Sequence, residues 1–302
     1  MNTQPIELVK AGNLLGESPV WCPREQALWW IDVQQPSLWK WTHATGAAKH
    51  WSLPKQPANI SILADGGVLI FFRTRAAVFR EGMPELDWLD LSPLELGDER
   101  FNDGKVDRLG RLWVGTLDRT LSRPLGRLYR MDAKASFHVV DAGFPLSNGI
   151  GWSPDNRTMY FAETHERRIY RYEFDLSSGS ATNRQVLVQL PQGPGGPDGL
   201  TVDAEGGIWC ALFERGCVNR YLPSGELDAS IEMPASQPTS CTIGGPALRT
   251  LFITSARLGL SQDELAREPR AGSVFTVEIG QRGLVAERCV AGGERRAPST
   301  VQ

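Results

Sequence analysis

The chain has 302 residues, of which 22% are charged, and a net charge of −3. Lys and Arg are scattered among acids, which excludes the clustered basic patch that nucleic-acid binding requires. No window approaches the roughly 18–20 apolar residues of a membrane span, and the first residues, MNTQPIELVKAGNLLGESP, hold no apolar stretch long enough for a signal peptide.

Five cysteines (Cys22, Cys210, Cys217, Cys241, Cys289) are odd in number and form no CxxC pair, against a disulfide framework or a thiolate zinc site. The expectation is a cytoplasmic protein with reduced thiols and no nucleic-acid or membrane partner. Hydrophobic residues make up 41%, with ten Trp and eleven Phe, enough for a large core. The 31 glycines and 20 prolines are spread along the chain, as suits many short strands joined by many turns.

In chain order, one scheme recurs. GESPVWCPREQALWWID starts at Gly16, NISILADGGVLIFF at Asn59, and FNDGKVDRLGRLWVGT at Phe101. NGIGWSPDNRTMYFAE follows from Asn148, DGLTVDAEGGIWCAL from Asp198, and SCTIGGPALRTLFITS from Ser240. Each opens on a polar residue, passes through apolar residues and a turn, and ends in an aromatic-rich or apolar strand. The strand markers Trp29, Leu69, Trp113, Tyr160, Trp209 and Phe252 are separated by 40, 44, 47, 49 and 43 residues. That spacing is the length of one four-stranded propeller blade. Between markers, stretches such as Gly126 to Asp132 and Arg168 to Asp175 alternate with the period of half-buried strands.

The pattern predicts an all-β fold, a six-bladed β-propeller with a central channel, as one domain over residues 1–302. Its blades are expected over roughly 13–285, with a frayed polar tail at 290–302. A β-sandwich, or two smaller β domains, explains strands and turns but not the regular marker spacing. The segment Ser261 to Glu268 is the one place that suggests a helical turn.

The first strand of each blade lines the channel of a propeller, so residues entering those strands converge on one end of it. The polar openers Glu17, Asn59, Asn102, Asn148, Asp198 and Ser240 precede their markers by 10 to 12 residues. Two carboxylates among neutral oxygen donors suit a hard or borderline divalent cation. Taken singly, Asn-Gly and Asp-Gly are turn dipeptides; the shared register is what favours a site. Asn59 and Ser240 fit the pattern less well, and Asn59 is also read as the end of a loop. The four histidines fall at unrelated repeat positions without HxxxH spacing, against a histidine zinc site or a Ser-His-Asp triad. The glycines of Gly193 to Gly199 precede a strand rather than a helix, against a phosphate loop.

At these residues the sequence resembles the SMP-30/gluconolactonase/regucalcin family, including its bacterial sugar-lactonase members. The matching stretches are Leu15 to Trp21, Arg100 to Thr116, Ser147 to Asp155, Pro197 to Trp209 and Leu251 to Ser261. The resemblance implies a propeller with one divalent metal ion at the channel mouth, ligated by Glu17, Asn148 and Asp198. It implies that Asn102 touches substrate or a bound water, and that Arg100 reaches a sugar hydroxyl or the lactone carbonyl. For a further polar contact it leaves Asp118 and Thr120 both open, Asp118 being the choice made here.

The activity so implied is hydrolysis of a small sugar lactone, such as glucono-, xylono- or arabinolactone, to the sugar acid. Asp198 is the expected general base. The metal is left as Ca, Mg, Mn, Zn or Fe, and the assembly as a monomer or small homo-oligomer. Two other readings stand beside it: a non-catalytic metal-binding or interaction propeller, and a phosphotriesterase-like or aryl-ester hydrolase using the same site.

Overall fold

A computed structural model describes residues 4–91 and 94–290. The expectation of a frayed tail falls almost wholly on 291–302, outside the described residues. The described chain forms six four-stranded antiparallel sheets, and the inner strands contact one another in ring order, first to sixth and back to first. This is the expected six-bladed propeller.

The inner strands, blade 1 to blade 6, are Gly16–Cys22, Pro57–Ile62, Glu99–Val106, Ser147–Trp152, Gly196–Val202 and Pro238–Gly244. Every strand marker lies in the second strand of its blade: Ala27–Asp32, Val68–Phe72, Leu112–Asp118, Thr158–Glu163, Ile208–Phe213 and Thr250–Ser255. Both faces of a blade pack on neighbouring blades, so these second strands are nearly continuous buried runs such as VLIFF and IWCALF. Outer strands face solvent, and Ala48–Ser52 is accordingly polar and exposed.

Six apolar clusters fill the gaps between successive blades. Between blades 6 and 1, for example, Trp21 stacks on Phe252 with centroids 5.5 Å apart. Each large side chain buried this way contributes about 1.5–3 kcal/mol. Blade cores also carry a polar pin. Asp107 accepts from Trp113 Nε1, and Asp203 from Trp209 Nε1, each at 2.9 Å. The indole N–H is thereby satisfied in the core.

Closure uses both ends of the described chain. Ile6–Val9 supplies the outer strand of blade 6, with Ile6 opposite Thr276, so the propeller begins before residue 13 where the sequence pattern placed it. A four-residue edge strand has too little periodicity to be recognised from its pattern, and only its pairing identifies it. After blade 6, a strap crosses the far end of the channel. It bridges Gly283 to Asp203 and Cys289 to Leu63, and Val290 N donates to Gly110 O. The helical turn is also present: Gln262–Arg267 is capped by Ser261, with Glu264 closing a capping box.

Candidate active site

Each inner strand carries one extra residue against its partner strand, and the position of that bulge decides which side chains enter the channel mouth. In blades 3, 4 and 5 the irregularity spans Asn102–Asp103, Asn148–Gly149 and Asp198–Gly199. In blade 1 it follows Glu17 directly. A bulge bends the strand and re-aims its side chains. In blade 2 the extra residue is Ala58, which lines the mouth, and Asn59 returns to the ladder opposite Phe71. Ser240 likewise returns to the ladder in blade 6, opposite Thr254. Asn59 is fully buried, and its Nδ2 donates to Asn102 O at 2.7 Å.

The Asn-Gly and Asp-Gly pairs are therefore not turns. Gly149 and Gly199 stand where inner strands crowd together. A Cβ at Gly149 would lie 2.6 Å from Asp198 O, and one at Gly199 1.9 Å from Ser240 Oγ. Glycine is required there by close approach.

Glu17, Arg100, Asn102, Asn148 and Asp198 line one cavity of about 480 Å³ at the channel mouth, with Asp103, Arg73 and His165. That volume suits a small ligand. Asn148 and Asp198 are each only 6% exposed. Asn148 Nδ2 donates to Thr164 Oγ1 at 2.8 Å, and that hydroxyl donates to Pro197 O at 2.7 Å. Asn148 Oδ1 accepts from Asn102 Nδ2 at 3.1 Å. Asn102 Nδ2 also donates to Ser147 O at 2.9 Å.

Three carboxylates crowd this mouth. Burial, and then the Asp103 charge, push Glu17 up to about 8. Asp198 is raised by burial, then by Glu17 and Asp103. Asp103 is raised by burial and held down in part by Lys105. Lys105 points along the channel, its Nζ donating to Leu200 O at 2.7 Å. Among the described residues Glu17 and Asp198 form no ion pair. Like charges without a counterion favour proton uptake or a bound cation. No three His, Cys, Asp or Glu side chains among the described residues make a metal-ligating group by themselves. A cation held here would draw on the Asn148 amide oxygen as well as the carboxylates, and this all-oxygen donor set fits a hard divalent ion.

Asp118 has another place. It is fully buried, accepts from Thr120 Oγ1 at 2.6 Å and Ser122 N at 3.1 Å, and pairs with Arg123 at 2.9 Å. These partners, Thr120 foremost, hold its carboxyl well below the usual range. Asp118 and Thr120 thus spend their polar atoms on the loop that presents Leu121 to the cavity, and neither lines it. The substrate contact expected from Asp118 is therefore not among the side chains that line the cavity. The reason is local: side chains two to five residues onward reach its oxygens first.

Asp103 and Arg73 are among the cavity residues that escaped the sequence reading. Asp103 occupies the second place of the blade 3 bulge, where blades 4 and 5 have Gly149 and Gly199. An acid in a place otherwise held by glycine was the available signal. Arg73 follows the second strand of blade 2 and carries no repeat signature.

The family described as SMP-30/Gluconolactonase/LRE-like region matches residues 15–257. A 6-deoxy-6-sulfogluconolactonase of Pseudomonas putida is 35% identical over 277 residues, covering 91% of this chain and 95% of that protein. A pentonolactonase of Haloferax volcanii is 34% identical, covering 89% and 92%. Among solved structures, a calcium-binding regucalcin of Agrobacterium tumefaciens superposes with a TM-score of 0.87 at 30% identity, covering 93% of this chain and 96% of that one. With the family matched over most of its length and the propeller closed around the same motifs, this chain belongs to the SMP-30/gluconolactonase/LRE-like family.

Proposed function

We propose that this protein hydrolyses a small sugar lactone to the sugar acid, using a divalent cation held by Glu17, Asn148 and Asp198. The observation that carries the reading is the convergence of these three side chains with Arg100 and Asn102 on one cavity. Two relatives named as lactonases add to it.

Lactone hydrolysis needs charge stabilisation at the carbonyl oxygen and removal of a proton from water. A bound divalent cation supplies Lewis acidity toward the carbonyl. Asp198 accepts the proton of the attacking water on a carboxylate oxygen as the water oxygen bonds to the carbonyl carbon. The ring C–O bond then breaks, and Asp198 returns the proton to the ring oxygen, which leaves as a hydroxyl. Without a cation, burial and the neighbouring Glu17 and Asp103 raise the proton affinity of Asp198; a cation on one carboxylate oxygen would lower it, so the base role falls to the other oxygen, facing the water. Arg100 and Asn102 orient the ring, the guanidinium facing hydroxyls or the carbonyl.

The test is acid release from glucono-, xylono- and arabinolactone by protein loaded with Ca²⁺, Mg²⁺, Mn²⁺ or Zn²⁺, and after chelation. Turnover of at least one lactone that chelator abolishes and cation restores is expected. Absence of cation-dependent turnover on all three, and on a sugar lactone bearing a charged substituent, overturns the reading.

A further inference from the structure

Two guanidinium groups share one wall of the cavity without a counterion. Arg73 leaves the second strand of blade 2, and Arg100 lies in the inner strand of blade 3. Phe101 N donates to Arg73 O at 2.9 Å, which pins the Arg73 backbone beside that inner strand. Both side chains line the mouth. Arg100 Nη1 makes only long contacts, 3.4 Å to Phe101 O and 3.4 Å to Asn102 Oδ1. Arg73 has no side-chain hydrogen bond or ion pair among the described residues.

Nearby arginines differ. Arg123 is neutralised by Asp98 and Asp118, and Arg167 donates to Gln192 at 2.6 Å. Burial, and then the Arg73 charge, bring Arg100 down to about 10. Two cations facing one cavity therefore repel each other, and many of their N–H donors are free for a ligand. A neutral sugar needs at most one of them. An anionic group would relieve the repulsion and take charge-assisted hydrogen bonds from both.

We propose that Arg73 and Arg100 form an anion subsite, and that the preferred lactone carries a negatively charged substituent remote from its ring carbonyl. The inference rests on the lactonase reading for the identity of the ligand. The anion recognised is a carboxylate, phosphate or sulfonate. Arg100 is shared with the ring, and Arg73 supplies the charge that distinguishes the subsite.

The experiment is calorimetric titration of the cation-loaded protein with D-gluconate, D-glucarate, 6-phosphogluconate and 6-deoxy-6-sulfogluconate. These share one carboxylate, and the last three add one anion of each type. At least one of the three is expected to bind about tenfold tighter than gluconate, as one charge-assisted interaction provides. Arg73→Gln should bring that ratio to about one, and Arg73→Lys should keep part of it. Raising ionic strength from about 0.15 to about 1 M should also shrink the ratio.

Arg73 is exposed, and thermal unfolding of Arg73→Gln beside wild type separates a loss of fold from a loss of the subsite. Equal affinity for all four acids, or a preference that Arg73→Gln leaves intact, overturns the subsite. Hydrolysis of gluconolactone and of 6-phosphogluconolactone, measured in parallel, separates the two readings. Turnover without anion preference sinks the subsite alone. Anion preference dependent on Arg73 without any lactone turnover supports the subsite and sinks the hydrolase reading.

Discussion

Asn102 Nδ2 lies 3.1 Å from Asn148 Oδ1, joining blades 3 and 4 across the mouth of the channel. The contact makes sense only with Thr164, whose Oγ1 accepts a hydrogen bond from Asn148 Nδ2 and so leaves Oδ1 for the cavity side. Thr164 is then a positioning residue for a candidate cation ligand. Thr164→Val should leave the Asn148 amide and Pro197 O without a buried partner, at about 1–3 kcal/mol of stability. Cation affinity should fall about tenfold or more, as when a supporting partner of a ligand is lost. Thr164→Ser should restore both. Titration calorimetry with Ca²⁺ or Mn²⁺ and thermal unfolding check this; unchanged cation affinity in Thr164→Val would remove the positioning role.

Asp198→Asn separates ligation from base chemistry. The amide oxygen can still coordinate, but it accepts no proton at neutral pH. Measurable cation binding should persist while lactone turnover falls by roughly 10²-fold or more, the contribution of a positioned base. Turnover within a few-fold of wild type would assign the base elsewhere.

Stability of the chelated protein should depend on pH with a definite sign. Glu17 is raised from 4.5 to about 8, and Glu163 to about 7 by burial, although Glu163 accepts Leu146 N at 2.7 Å. Each folded-state carboxyl holds its proton more tightly than the unfolded chain does, so the folded state binds more protons between these values. Its stabilising contribution is full below about pH 4.5 and is lost as pH rises through 7 and 8. Calorimetric Tm in chelator should therefore fall across that window. Glu17→Gln should flatten the upper part. Saturating cation should flatten the Glu17 component and leave that of Glu163, which is not in the cation site. A Tm that rises with pH in chelator would contradict the burial argument.

Gly199→Ala tests the close approach of blades 5 and 6. The added methyl meets Ser240 Oγ and Cβ, at 1.9 and 2.4 Å. Overpacking of this kind costs about 1–3 kcal/mol. Ser240→Gly in the same chain removes both atoms and should recover part of the loss. Gly149→Ala meets the backbone at Asp198 O and Leu200 N instead, each at 2.6 Å, so no side-chain change should rescue it. Denaturant midpoints of the single and double variants decide; full tolerance of Gly199→Ala would refute the packing account.

The repeat was legible because blade architecture writes a regular signal into the chain. Each second strand is buried on both faces, so its apolar run recurs once per blade, and the marker spacing reports blade count directly. The openers Glu17, Asn102, Asn148 and Asp198 were legible for the same reason, since equivalent positions in radial repeats become neighbours. The rule failed where the bulge moved by one residue. Blade 2 presents Ala58 rather than Asn59 because the extra residue comes earlier, and a one-residue shift exchanges the faces of a strand.

What the sequence alone determined, then, was the closed set of six blades and the chemistry that its register converges on one mouth. The tertiary structure decided which atoms face that mouth. It turned Asp118 into a loop anchor, because Thr120, Ser122 and Arg123 reach its oxygens first. It brought in Asp103 through a bulge and Arg73 through a backbone hydrogen bond from the next blade. Those outcomes depend on hydrogen-bond competition and on contacts between residues far apart in the chain, neither of which leaves a periodic trace in the order of amino acids.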